Sequence, residues 1–335
     1  MKNLLYIGNK LSKQGFNQTT IETLSPLLLQ EGFNVNSTSS KKNYFLRMLD
    51  MWFCVLKYYK SDFAIIDTYS TSSFWYAFTT SQLCRLLKMK YIPFLHGGNL
   101  PNRLQSNPKL CKMIFDNAYV NVAPSHYLKE SFKEKGYINV TYIPNTIQIN
   151  KYPFKERNAG EPKLLWVRAF ASIYNPLMAI RVYKKVLEKF PNATLCMVGP
   201  DKDGSMKACK AVAQELGLNV RFTGKLSKKE WISLSSEYSI FINTTHFDNM
   251  PVSVIEAMGL GLAVVSTNVG GIPFLLAHNK DALLVPDSDV SKMVDAIEDL
   301  VVQPLLYQTL ISDARQKAVS FDWEFVKEKW IKVLQ

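Results

Sequence analysis

Two carboxylates, Asp248 and Glu256, bracket the run Met250-Pro251-Val252 in HFDNMPVSVIEAMGLGLAVVSTNVGG, residues 246–271. The apolar run 239–243 before them reads as a buried strand, and 244–250 as the loop at its carboxyl end. Pro251 fits the first position of a helix, where its missing N–H costs nothing. That helix would reach about Met258 and end on Gly259 and Gly261. A helix start presents unpaired N–H groups and partial positive charge, which suit a phosphate. Side chains on a helix lean toward its N-terminus, so Glu256 can reach back over that start. Asp248 approaches the same space from the loop. Carboxylates bind phosphate poorly but accept hydrogen bonds from vicinal hydroxyls. A diphosphate on the helix end with two carboxylates on hydroxyls describes a nucleotide sugar. The plainer alternative is that acids simply favour helix N-termini, by about 0.3–1 kcal/mol. It accounts for Asp248 better than for Glu256, which lies past the first turn.

The elements that must hold these residues recur along the chain. Short, mostly continuous apolar runs lie at 4–8, 63–67, 91–96, 119–124 and 140–145, then at 164–168, 194–199, 220–224, 239–243, 263–267 and 282–286. Continuous apolar runs suit strands buried on both faces. Helical patterns, such as 176–190 and 205–216, alternate with them, so the sheets should be parallel with helices on both sides. The rhythm breaks once, at KYPFKERNAGEPK (151–163), which reads as a linker. The expected architecture is α/β, with two doubly wound Rossmann-like domains: 1–152, and 153–321. A terminal amphipathic helix over 322–335 has Asp322 as its N-cap. Ligands in such sheets bind beyond the carboxyl ends of the strands, and a cleft between the domains is the default site.

Composition narrows the function classes. The 335 residues are 47% hydrophobic and 20% charged, which suits a globular chain. No run of about 18 apolar residues appears, so no transmembrane helix is expected. The first apolar run stops at Gly8 and reads as a strand, too short for a signal peptide. Five scattered cysteines, none in a CxxC pair, suggest free thiols in a reducing cytoplasm. The net charge of +12 sits mostly in residues 1–151, which hold 18 Lys/Arg against 8 Asp/Glu. Nucleic acid, an anionic membrane surface and a phosphate-bearing substrate are candidate partners, beside a basic surface with no partner. No nucleic-acid-binding motif accompanies the charge, so nucleic acid is not expected. The stretch LRMLDMWFCVLKYY (46–59), with Lys41, Lys42 and Lys60 around it, fits either a core helix with a basic rim or an interfacial surface.

The carboxylate segment, taken with the rest of the chain, resembles the E-x7-E signature of retaining GT-B glycosyltransferases of the family 4 type. The frame is Asp248, Pro251, Glu256-Ala257-Met258, Gly261, Val264-Val265 and Gly270-Gly271-Ile272-Pro273. Phe94-Leu95-His96-Gly97-Gly98, Ala123-Pro124-Ser125, Ile143-Pro144-Asn145, Val198-Gly199, Phe222-Thr223-Gly224 and Leu284-Val285-Pro286 are similar to further segments of that family, in order. The resemblance implies sugar transfer with retention and without a metal or other cofactor. It implies Glu256 on the donor ribose, Asp248 at the transferred sugar, and the backbone of Asn249, Met250, Pro251 and Val252 at the diphosphate or sugar. Arg168 would neutralise the diphosphate, Gly224 would line the donor site, and His96 would lie near the sugar. Gly15 and Gly97 would belong to loops on the acceptor and phosphate side.

Three departures stand out. Asn175 occupies the place of the family's lysine, Asp248 shortens the first acid, and Gly15 is a single glycine where a pair is common. The expected partners are a nucleotide-sugar donor and a glycan or lipid-linked acceptor in surface-polysaccharide synthesis, at the cytoplasmic face of a membrane. A sugar-nucleotide epimerase or hydrolase, or a catalytically weak binding subunit, is the alternative. Asp201-Lys202-Asp203 resembles a metal-holding DxD triplet but fits a polar loop equally well. Asp289 reads as a helix N-cap.

Overall fold

The computed structural model describes residues 1–16, 18–158 and 160–335. Ala159, inside the expected linker, therefore lies outside the described residues. The strands are β1 (Asn3–Ile7), β2 (Asn34–Thr38), β3 (Phe63–Thr68), β4 (Tyr91–Leu95), β5 (Asn121–Ala123), β6 (Val140–Tyr142), β7 (Lys163–Val167), β8 (Thr194–Val198), β9 (Val220–Gly224), β10 (Ile240–Asn243), β11 (Ala263–Thr267) and β12 (Leu283–Val285). The helices are α1 (Thr20–Gln30), α2 (Tyr44–Lys57), α3 (Phe74–Leu86), α4 (Leu100–Ser106), α5 (Pro108–Phe115), α6 (His126–Glu134), α7 (Pro176–Lys189), α8 (Ser205–Glu215), α9 (Lys228–Ser235), α10 (Val252–Gly259), α11 (Ile272–Leu275), α12 (Val290–Val302), α13 (Pro304–Val319) and α14 (Trp323–Leu334).

The chain divides into two compact units, one of Met1–Pro144 with Val326–Gln335, the other of Asn145–Phe325. Residues 145–152, grouped by sequence with the first domain, thus belong to the second unit. Each unit carries a six-stranded, wholly parallel sheet, in the orders β2-β1-β3-β4-β5-β6 and β12-β11-β10-β7-β8-β9. The second order is the Rossmann order, and its direction of winding reverses between β7 and β10. A crevice opens at the carboxyl ends of strands that part in this way. In the first sheet the corresponding place is between β1 and β3. All residues of β3, β4, β10 and β11 are buried, as continuous apolar strands require.

Strand β2 is absent from the sequence reading. Its residues, NVNST, are mostly half-buried at the sheet edge, so no apolar run announces them. The 151–163 segment is also not the free linker that its composition suggests. Tyr152 and Arg157 are buried, and the Arg157 guanidinium donates to the carbonyls of Leu260 and, at 3.3 Å, Ser235. Lys155 N–H donates to the Leu260 carbonyl at 3.4 Å. The Arg157 side chain and the Lys155 backbone thus cap the carboxyl end of α10, while the other charged side chains of the segment face solvent. Of the five free cysteines, four are buried and Cys54 is half-buried. Among the described residues, no helix is long and apolar enough to cross a membrane.

Candidate functional site

In the second unit, Arg168 follows β7 and Asp248 follows β10, the two strands at the reversal. Their side chains form an ion pair, with 13% and 15% of their surfaces exposed. The guanidinium carbon also lies 4.3 Å from the Tyr174 ring centroid. Burial pulls the Arg168 guanidinium below its ordinary value, though an arginine stays charged regardless. The same cation draws the Tyr174 phenol down, against its own burial. Arg168 Nε is buried without a hydrogen-bond partner, an expensive arrangement for a charged group unless something else meets it.

The loop after β10 is tied to this arginine's own loop. The Thr244 hydroxyl accepts from Trp166 Nε1 at 3.1 Å and lies 3.0 and 2.9 Å from the Tyr174 and Asn175 carbonyls. The Thr245 hydroxyl reaches the Ile173 carbonyl at 3.2 Å, and the His246 N–H donates to that carbonyl at 2.9 Å. Asn175 adopts the left-handed conformation, φ 45°, that asparagine tolerates better than most residues. It turns the chain into α7. Thus the residue in the place of the family's lysine acts through its backbone in this turn. On the other side of Arg168, the Gly199 N–H donates to the Gly224 carbonyl at 2.8 Å.

Two glycines of the opening stretch have a steric reason. A Cβ on Gly271 would stand 1.9 Å from the Asn249 carbonyl oxygen, and one on Gly270, at φ 54°, 2.4 Å from that of Asp248. The Gly271 N–H donates to the Asp248 carbonyl at 2.8 Å. The pair lets the acid-bearing loop lie directly on the chain entering α11. The Asp248 carboxylate also accepts from the Asn249 N–H at 2.8 Å, and Asn145 Nδ2 donates to the Met250 carbonyl at 3.1 Å.

Pro251 is the N-cap of α10, in extended conformation, and not its first helical residue; the helix begins at Val252. The Pro251 carbonyl accepts from Val254 and Ile255. The N–H groups of Val252 and Ser253 precede these and lie at the positive end of the helix. The Ser253 hydroxyl, beside them, is buried without a partner. This serine is missing from the residues expected by sequence, although a hydroxyl in the first turn after a proline was the available signal.

Glu256 is 3% exposed. Its Oε1 accepts from the Tyr152 hydroxyl at 2.6 Å and pairs with Lys228 of α9. Burial, then the adjacent carboxylate, pushes the Tyr152 phenol far above its ordinary value, so it remains a donor. Neither residue is apparent from sequence. Tyr152 lies in the apparent linker, and Lys228 belongs to a charged helix start of ordinary appearance.

His96, Gly97 and Gly15 belong to the first unit. His96 follows β4, and its Nε2 lies 2.8 Å from Asp67 Oδ1 at the end of β3. Tyr6 donates to the same oxygen at 3.0 Å. The Asp67 side chain is fully buried, and its Oδ2 has no hydrogen-bond partner. Room for that carboxylate comes from Gly8, where a Cβ would stand 2.3 Å from Oδ2. The His96 ring is flanked by Phe94 and Tyr69, at 4.2 and 5.4 Å between centroids. Gly97 N–H donates to Thr68 O at 3.3 Å, and Gly15 closes the turn at 12–14.

Residues set aside by sequence find local partners. Asp201 accepts from the Gly204 and Met206 N–H groups, and Asp203 from those of Ser172 and Ser205, so the acidic triplet caps α8. The Asp289 carboxylate accepts from Lys292 N–H at the start of α12. His246 pairs with Asp287 at 2.9 Å, and His278 accepts from Leu284 N–H at 3.0 Å.

Residues 148–317 match the family described as glycosyl transferases group 1. A glycogen synthase of Mycobacterium tuberculosis is 24% identical over 194 residues, 57% of this chain and 47% of its own. A D-inositol 3-phosphate glycosyltransferase of Corynebacterium jeikeium is 25% identical over 179 residues, 51% of this chain and 42% of its own. The chain spans about half the length of these curated relatives. Among solved structures, a sucrose-phosphate synthase from Thermosynechococcus elongatus aligns with TM-score 0.80 at 15% identity, covering 99% of this chain and 98% of that one. Anabaena Alr3699/HepE, in complex with UDP and glucose, aligns with TM-score 0.79 at 16% identity, covering 100% and 99%. These likenesses establish the GT-B arrangement of two Rossmann-like domains. With its matched segment spanning half of the chain and this fold around it, the chain belongs to the glycosyl transferases group 1 family.

Proposed function

We propose that the protein transfers a hexose or N-acetylhexosamine from a nucleotide-sugar donor to a glycan or lipid-linked saccharide, with retention and without a metal. The acceptor class and a role in surface-polysaccharide synthesis belong to the same reading. The observation that carries it is the buried Arg168, with Nε unpartnered, beside Asp248 at the sheet's reversal point. The similar structure of HepE with UDP-glucose supports a nucleotide-sugar donor. That of a mutant S. aureus TarM with UDP and alpha-GlcNAc-glycerol supports sugar transfer on this fold.

In the proposed reaction, the donor diphosphate takes Arg168 from Asp248 and meets the Val252 and Ser253 N–H groups and the Ser253 hydroxyl. These donors stabilise the charge that grows on the leaving phosphate. The leaving phosphate oxygen accepts the acceptor's proton, so no carboxylate acts as base. Asp248, released from Arg168, turns to the sugar hydroxyls. Glu256, held by Tyr152, accepts from the ribose. In the first unit, Asp67 holds His96 through Nε2 and fixes the ring for its part in the same reaction.

Thermal unfolding in the presence of UDP-, GDP-, TDP- and ADP-sugars should single out one donor, because a bound ligand raises stability by mass action. Product NMR with an acceptor panel then reads the anomeric outcome. Donor consumption independent of any acceptor would instead indicate an epimerase or hydrolase. Tight nucleotide binding without turnover would indicate a binding subunit, the reading that Asn175 in the lysine's place favours.

A further inference from the structure

Helix α2 carries more apolar surface than its own unit can cover. Its inner arc, with Met51 and Val55 buried and Tyr44, Met48 and Tyr58 packed on the core, meets the sheet side of the first unit. A second apolar arc lies outside. Phe45, Leu49, Phe53 and Leu56 are 68%, 53%, 61% and 53% exposed, and Leu46 beside them 57%. Their spacing of i, i+4, i+8 and i+11 puts them in one stripe on the helix. No charged side chain falls within that stripe. Trp52, on its edge, donates to Thr79 of α3 at 3.0 Å, and Trp75, one turn earlier on α3, is 44% exposed. A contiguous exposed stripe of this size is unusual for a free surface.

Charge at both ends of the helix indicates what covers the stripe. Lys41 and Lys42 precede α2, and Arg47 fixes them by donating to both of their carbonyls at 2.7 Å. At the other end stand Lys57 and Lys60. Lys60 also lines a cavity of about 260 Å³ with Lys2, Lys88 and Lys90, against the one acid Asp62. The acids nearest in sequence are engaged locally, Asp50 by the Thr38 hydroxyl and Asp62 by the Asn3 N–H. An apolar stripe with lysines at both ends complements a hydrocarbon boundary beneath anionic headgroups. A second copy of the chain would set these lysines against their own equivalents.

We infer that the outer face of α2 docks on an anionic phospholipid bilayer, with Phe45, Leu49, Phe53 and Leu56 in the interface and the flanking lysines on headgroup phosphates. None of these residues is assigned to the donor, so the test does not depend on the donor reading.

The test is co-sedimentation of the full chain with phosphatidylcholine vesicles, with and without phosphatidylglycerol. Binding is expected only when phosphatidylglycerol is present. The double variant Leu49→Ser/Phe53→Ser should weaken it about tenfold or more. Lys42→Gln and Lys57→Gln should each weaken it about fivefold. All of these side chains are exposed, so unfolding temperatures should match wild type; if the serine pair unfolds, the lysine variants still decide. Equal binding to both vesicles, or to neither, would overturn the proposal. So would a dimer without vesicles that Leu49→Ser/Phe53→Ser converts to monomer, since a second copy would then cover the face.

Discussion

Tyr152→Phe removes one hydroxyl from the grip on Glu256, and the structure sets the size of the loss. The bond is 2.6 Å long, its acceptor is a carboxylate, and both residues are buried. A hydrogen bond to a charged group contributes about 1.5–3 kcal/mol. The other partner, Lys228, has a side chain 46% exposed, so solvent screens its ion pair to about 0.2–1 kcal/mol. Tyr152 should therefore be the anchor. Tyr152→Phe is expected to lower the unfolding free energy by about 1.5–3 kcal/mol, and Lys228→Met by less than about 1 kcal/mol. Glu256→Ala should cost at least as much as Tyr152→Phe, because it leaves the buried tyrosine hydroxyl unpaired, itself worth about 1–3 kcal/mol. In the double variant Tyr152→Phe/Glu256→Ala that penalty disappears, so the losses should fall short of additivity by about 1–3 kcal/mol. Urea unfolding of the four chains measures this cycle. Losses that add to within about 0.5 kcal/mol would refute the reasoning. So would a larger cost for Lys228→Met than for Tyr152→Phe. The same site tests the ribose role: Glu256→Gln should weaken nucleotide binding by about 10–150-fold, the equivalent of one charge-assisted bond of about 1.5–3 kcal/mol.

Four further outcomes are expected. Asp67→Asn should alter the His96 tautomer seen by 15N NMR and lower turnover more than it raises KM, since Asp67 holds Nε2 and is a positioning residue. Gly271→Ala should cost about 1–3 kcal/mol in urea unfolding and weaken nucleotide binding, because its Cβ meets backbone at 1.9 Å. A thiol reagent at pH 8 should label Cys54 of the native chain and all five cysteines after denaturation; burial raises the Cys84 and Cys209 thiols to about 12, Cys111 to about 11, and Cys196 in the same direction. Asp203, held down to about 2 by the Ser205 hydroxyl and then the Ser172 N–H, adds stability above the unfolded carboxyl value near 4, lost as pH falls toward 2; Asp203→Asn should lack that part of the acid sensitivity in circular dichroism.

The parallel α/β class was legible in the amino-acid order alone, because strands buried on both faces must be continuously apolar and need helices between them. The placing of Asp248 in a loop after a strand and of Glu256 on a helix start was legible from local chain direction, whereas Arg168 was singled out only through the family resemblance. Partners from distant segments emerged only once the chain was folded. Tyr152 and Arg157 sit in a stretch whose prolines and charges read as a linker, yet they are buried against α10. Strand β2 was silent because edge position, a property of the assembled sheet, lets a strand be polar. Helix α2 has an apolar pattern that satisfies a core helix and an interfacial one equally, and only exposure separated its two arcs. The opening glycines show the same division. Their identity was legible, but the Asp248 and Asn249 carbonyls that exclude a Cβ arrive from the loop after β10, well before Gly270 in the chain. Periodicity and chain direction are local, whereas close approach depends on which segments the fold brings together.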